Sequence, residues 1–151
     1  MPDSLYEHDV LAWSQQQADL LRRLGRGERV NDIDWTNVAE EIEDVGLSEL
    51  HSVESFLNLM LVHLLKLYAW AASPACGNWR SEIVACRNNA KRRLAPSMRQ
   101  RIDIAALYAE AIDQLRESNP DTAFPVENPF TLDLLLTADT NTLLDCLPRP
   151  P

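Results

Sequence analysis

Glycine is scarce in this chain, at four of 151 positions, and the alternation of Val, Ile and Thr that marks strands is nearly absent. Long periodic segments separated by short breaks take its place, which argues for helices. Basic residues are also few, 14 against 23 acids, for a formal charge of −9. That excess favours solubility and weakens the case for non-specific binding to nucleic acid or anionic membrane. Cysteine is limited to Cys76, Cys86 and Cys146, odd in number and widely spaced. Such spacing supplies neither a disulfide framework nor a zinc pattern, and a reducing cytoplasm is the expected home. No basic start precedes an apolar stretch, so no secretory signal is read. The most apolar run, Phe56 to Ala72, is interrupted by Asn58, His63 and Lys66. It is too short and too polar to span a bilayer, and no membrane association is expected.

What remains has the composition of an ordinary globular protein, and its length suits one domain. Ser4 or Asp3 is placed to cap a first helix running to about Leu24, ended by Gly25 and Gly27. Its apolar stripe is Tyr6, Val10, Trp13, Leu20, Leu21 and Leu24, with a gap of seven that skips over Gln17. After a polar connection from Gly25 to Asp34, Asp32 or Asp34 caps a second segment reaching Trp70. If continuous, it spans about 54 Å at 1.5 Å per residue, longer than a compact domain is wide, so a bend is expected at Gly46. The stripe shifts there by roughly 60°, from Val38, Ile42 and Val45 to Leu50, Val53, Leu57, Met60, Leu61, Leu64 and Tyr68. From Phe56 onward the segment is apolar nearly all round and should be the most buried element.

A third helix is read at about Trp79 to Leu94, stopped by Pro96, and Ser97 or Asp103 starts the next. The fourth stripe is Ile104, Leu107, Tyr108, Ala111, Ile112 and Leu115. Beyond Asn119-Pro120 lies an irregular strap with short helical turns at Thr131–Leu136 and Thr140–Asp145, then a frayed tail. The expected fold is thus all-α: an up-and-down-like bundle of four main helices around one long, kinked helix. It forms a single domain over 1–151, with the bundle at about 4–118 and the strap at 119–151.

Several blocks together resemble a known family. They are Leu5-Tyr6-Glu7-His8-Asp9 with Trp13, Glu40-Glu41-Ile42-Glu43-Asp44-Val45-Gly46 and His63-Leu64-Leu65-Lys66. Trp79 with Ile83 and Arg87, Pro96-Ser97, Tyr108 with Ala111, and Phe124-Pro125 with Pro129 complete the set. The pattern, over roughly Leu5 to Leu136, resembles DUF29, a family of uncharacterised bacterial proteins. The resemblance implies a helical bundle of bacterial origin and carries over no activity or catalytic residue.

Four features could carry chemistry. Glu40, Asp44, His51, Glu54 and Asn58 lie within about 80° of one another around the second helix. Carboxylates and an imidazole on one face are what a bundle metal site uses. A di-iron site needs Glu-x-x-His on two helices, however, and here His51-x-x-Glu54 runs in reverse with no second copy. A solvated or salt-bridged face is the plainer reading, with no cofactor. The second feature is the segment Arg80 to Arg101, holding seven of the 14 basic residues against the single acid Glu82. Arg80, Arg87 and Lys91 share one face, suited to phosphate or an acidic partner, or to neutralising the Glu40–Glu54 stripe across a helix interface. His63 is third, read as a core histidine satisfied by one hydrogen bond, with Glu41 or Glu7 as the carboxylate that would make it an acid–base pair. The tryptophans Trp13, Trp35, Trp70 and Trp79 are read as core anchors, an exposed pair marking a protein interface instead.

No catalytic motif emerges. The leading expectation is a non-enzymatic helical interaction module with a protein partner, or a homo-oligomer. The alternatives are nucleic-acid association through Arg80–Arg101 and a metal-dependent enzyme on the Glu40/Asp44/His51/Glu54 face.

Overall fold

The computed structural model describes residues 4–151, which form seven α-helices and no strand. They are α1 (Leu5–His8), α2 (Val10–Gly25), α3 (Trp35–Ala69), α4 (Cys76–Arg93), α5 (Ile104–Ser118), α6 (Leu132–Thr137) and α7 (Thr140–Asp145). The all-α bundle expected from the sequence is observed. Its contacts gather into two compact units, the first ending at Ser48 and the second starting at Glu49. The boundary falls inside α3, two residues beyond Gly46, and α3 itself runs through that glycine without a break.

Local chemistry explains most helix ends. Ser4 caps α1 by accepting a hydrogen bond from the Glu7 amide at 3.3 Å, while Asp3 lies outside the described residues. The single first helix expected from Ser4 to Leu24 is in fact two. Asp9 leaves helical geometry, with φ −149° and ψ 79°, and its carboxylate accepts from the Ala12 amide to start α2 afresh. A short acid that bonds its own downstream amide favours a cap over a helix interior. The α2 helix ends at Gly25, and Gly27 takes φ +84°, the left-handed region open to glycine. Asp34 caps α3, Asp103 caps α5, Thr131 caps α6 and Asp139 caps α7. The α4 helix begins at Cys76, ahead of the expected Trp79, because Gly77 and Asn78 are absorbed into its first turn.

The first unit has a small core of Trp13, Ile33 and Val38, with Tyr6, Leu20, Leu21 and Val30 packed against it. Polar bonds supplement it. Gln17 is 5% exposed, the one buried polar residue among the described residues. Its carbonyl oxygen accepts from the Asp34 amide at 2.8 Å, and its amide nitrogen donates to the Asp32 carbonyl at 3.5 Å. Asp34 is the hub: it also accepts from the Trp13 indole at 3.1 Å and from the Asn37 side chain at 2.7 Å. These donors, Asn37 foremost, hold its carboxyl below the usual carboxylate range. Tyr6 stacks edge-on against Trp13, centroids 4.8 Å apart, and donates to Glu41 at 2.7 Å.

In the second unit, Val53, Leu57, Met60, Leu61, Leu64 and Leu65 are fully buried, as the all-round apolar pattern predicts. Ile83, Cys86 and Ala90 of α4 close on them, as do Ile104, Leu107, Tyr108, Ala111, Ile112 and Leu115 of α5. The strap supplies Phe124, Phe130, Leu135, Leu136, Leu143 and Leu147 to the same core. It is therefore integral to the core, and the tail expected to fray is anchored as far as Leu147 by burial. Tyr108 donates to the Pro125 carbonyl at 2.6 Å and packs edge-on against Phe130. Burial pushes this phenol up to about 12.

Two outcomes follow for the first unit. Gln17→Met keeps the volume but leaves the Asp34 amide and the Asp32 carbonyl without their partner, at a cost of about 1–3 kcal/mol in urea unfolding followed by Trp fluorescence. Tyr6 ionises only near about 12, chiefly because its hydroxyl donates to the Glu41 carboxylate, with burial and the Glu41, Glu40 and Asp44 charges adding. A folded value raised above the unfolded one of about 10 means the tie is complete below pH 10 and lost as pH climbs towards 12. The urea midpoints of the natural chain and of Tyr6→Phe should therefore converge over that interval. Parallel curves across it would show that the bond contributes nothing.

Candidate functional site

The residues singled out by chemistry are dispersed by the fold. Glu40 and Asp44 are exposed in the first unit, whereas His51 and Glu54 belong to the second. His51 and Glu54 line a cleft of about 410 Å³ together with Asn58, Leu107 and Glu110. Asn58 donates to the Leu107 carbonyl at 3.4 Å, so its amide serves helix packing. Among the described residues, no group of three or more His, Cys, Asp or Glu is arranged to hold a metal ion.

The basic segment reaches a different destination from the one expected. Only Arg93 meets an acid of α3, Glu49, through one guanidinium nitrogen at 3.0 and 3.1 Å from its two carboxylate oxygens. Three other arginines fasten the C-terminal strap. Arg87 donates to the carbonyls of Leu135 (3.0 Å) and Ala138 at the end of α6. A helix leaves its last carbonyls without intrahelical donors, and a cation there also suits the negative end of the dipole. Burial lowers the pKa of this guanidinium, opposed by the Asp139 carboxylate. Arg80 donates to Asn141 at 3.0 Å, and Arg99 pairs with Asp133 at 2.8 Å. Lys91, Arg92 and Arg101 remain exposed, Lys91 on the edge of a cleft of about 400 Å³ with Arg99 and Asp133. Spacing placed Arg80, Arg87 and Lys91 on one face, but it could not show that two of them meet a strap 48 to 61 residues further on.

His63 also departs from expectation. Its Nδ1 is buried without a hydrogen-bond partner among the described residues. Burial, then the Lys66 charge, lowers its pKa, which favours the neutral ring at pH 7. Glu41 is engaged by Tyr6. The Cys86 thiol is raised by burial, so it is a poor nucleophile.

The tryptophans divide. Trp13 is a core anchor, and Trp70 and Trp79 are half-buried. Trp35 is 60% exposed at the start of α3, and it is not alone: Ile42 is 68% and Val45 70% exposed. Of the expected early stripe, Val38 alone is buried. On a wheel at about 100° per residue Trp35, Ile42 and Val45 fall within about 80°, with Glu41 on one flank and Glu43 on the other. No Lys or Arg occurs from Val30 to Leu65, so the charges that α3 itself sets beside this strip are all negative.

Residues 5–140 match the family model described as a domain of unknown function, DUF29. The chain belongs to the DUF29 family. A crystal structure of an α-helical protein of unknown function from Rhodospirillum rubrum is 31% identical to it. The match covers 98% of this DUF29 chain and 99% of that one, with a TM-score of 0.71. Comparison with curated proteins gives no match. Neither the family nor the structural relative carries an established activity. Among the described residues of this DUF29 protein, no helix is long and apolar enough to cross a membrane.

The strap arginines yield a contrast. Arg87→Met strips the α6 carbonyls of their donor and should cost about 1–3 kcal/mol, with faster proteolysis beyond Asn119. Lys91→Ala on the same helix face should stay within about 0.5 kcal/mol and leave proteolysis unchanged.

Proposed function

We propose that this DUF29 chain is a non-catalytic interaction module that docks a protein partner along the first half of α3. The observation that carries it is the exposure of Trp35, Ile42 and Val45 on one strip with acids on both flanks. Contiguous exposed apolar side chains rimmed by polar ones mark protein-binding surfaces, and Trp is the side chain most enriched at their energetic centres. The first unit also has little core of its own, three buried apolar residues over residues 4–48. Units of that size are marginal by themselves and gain stability from covering apolar surface.

Charge selects the partner's chemistry. A second copy docked strip to strip would bring the flanking Glu41 and Glu43 against the same two acids. An apolar helix face bordered by Lys or Arg instead meets apolar with apolar and acid with base. Nucleic-acid association has weaker support, because Arg80, Arg87, Arg93 and Arg99 are already engaged within the chain. Metal chemistry on Glu40, Asp44, His51 and Glu54 lacks a grouped ligand set.

Titration with a synthetic amphipathic helix of leucine and lysine tests the proposal. Binding should weaken as salt rises and fall about tenfold or more in the Trp35→Ser/Ile42→Ser/Val45→Ser chain, which keeps every charge. Equal affinity in that variant would reduce the interaction to net charge and end the proposal. Light scattering that finds the protein alone dimeric, and the variant monomeric, would assign the strip to a second copy instead.

A further inference from the structure

A separate feature of the second unit is a cleft of about 820 Å³ where α3 ends and α4 begins. Tyr68 and Trp70 come from the end of α3 and the turn after it, Trp79 from the first turn of α4, and Asn119 from beyond α5. Its aromatic wall is fixed by its neighbours. Trp70 packs edge-on against the buried Phe124 at 6.0 Å and lies 6.4 Å from Trp79. Lys66 sets its ammonium 5.7 Å from the Trp79 ring centroid. Two half-buried indoles held in place offer flat apolar faces that lose little side-chain freedom when a ligand covers them.

Besides the small side chains of the turn after α3, the lining includes Pro150 of the chain's own tail. That tail reads Leu147-Pro148-Arg149-Pro150-Pro151. Proline fixes its own φ near −65° and keeps the residue before it out of helical geometry, so the stretch favours the extended polyproline II form. Buried Leu147 anchors its start, and Pro150 reaches the aromatic cleft. The tail does not fill it: the volume stands open with Pro150 in place and lies within the range of ligand sites. Grooves lined by aromatic side chains take up proline-rich segments because the ligand is already extended and loses little entropy on docking.

We propose that the Trp70–Trp79 cleft binds an extended, proline-rich peptide segment, and that the chain's own Pro148–Pro151 tail competes for it from the rim. The site is distinct from the α3 strip and does not depend on it. Indole N–H resonances of the full chain, titrated with synthetic decaproline, provide the test, since the neutral probe is not drawn to acidic faces. The Trp70 and Trp79 signals should move, while Trp13, bonded to Asp34, and Trp35 stay in place. Pro148→Ser/Pro150→Ser/Pro151→Ser should tighten the apparent affinity several-fold by removing the competitor. Trp79→Leu should abolish binding, with an unmoved Trp13 signal showing that the chain is still folded. Absence of any shift at millimolar peptide would overturn the proposal. So would a shift confined to Trp35, undiminished binding by Trp79→Leu, or unchanged affinity in the serine-tail variant.

Discussion

A helix that is apolar nearly all round has to be enclosed nearly all round, and α3 from Phe56 to Leu67 is such a helix in the second unit. Burying a side chain of this kind stabilises by about 1.5–3 kcal/mol, so leaving one flank to water would forfeit several such contributions. Two neighbouring helices cannot surround it. The α4 and α5 helices cover part of the perimeter, and the strap from Phe124 to Leu147 covers more of it, leaving Ser55 and Leu59 to water. An irregular segment placed against a core brings backbone groups that must find partners. Tyr108 and Arg87 supply them, one to the Pro125 carbonyl and the other to the end of α6. The arginine cluster thus follows from the enclosure of α3 rather than from a ligand.

The first unit solves the opposite problem. Its apolar core is too small to fix α2 and the entry to α3 by packing alone, and a hydrogen-bonded hub at Asp34 does much of the positioning. What it leaves in water is the strip of Trp35, Ile42 and Val45. One unit is closed nearly all round its helix, the other holds its helix at one end, and the proposed partner site lies where coverage stops.

Much of the fold was legible in the residues. Caps at Ser4, Asp34 and Asp103 and the two short strap helices follow from side chains bonding to nearby amides, which spacing in the chain reveals. The stop at Gly25 follows from glycine's poor hold on helical geometry. Burial of most of α3 from Phe56 onward follows equally from a pattern that is apolar nearly all round. Gln17 could have been found by the same logic. It sits four residues after Trp13 on the apolar stripe, where a polar side chain is buried only if its bonds are satisfied. Asp9 was the harder case, since an acid inside a periodic segment is compatible with both a helix interior and a fresh cap.

Sequence periodicity determines which face of a helix is apolar, and so it settled the all-helical class and the central place of α3. It does not determine how much of that face finds a neighbour. Val38, Ile42 and Val45 form one stripe in the sequence, yet only Val38 is covered, because coverage depends on what the distant chain brings alongside. The same holds for charge. Arg87 and Lys91 are equivalent by helical spacing, and the carbonyls of a strap some 50 residues away separate them into a half-buried tie and an exposed surface cation. Short-range bonding and periodicity are written in the chain; the partner of each exposed or buried group is decided by tertiary contact.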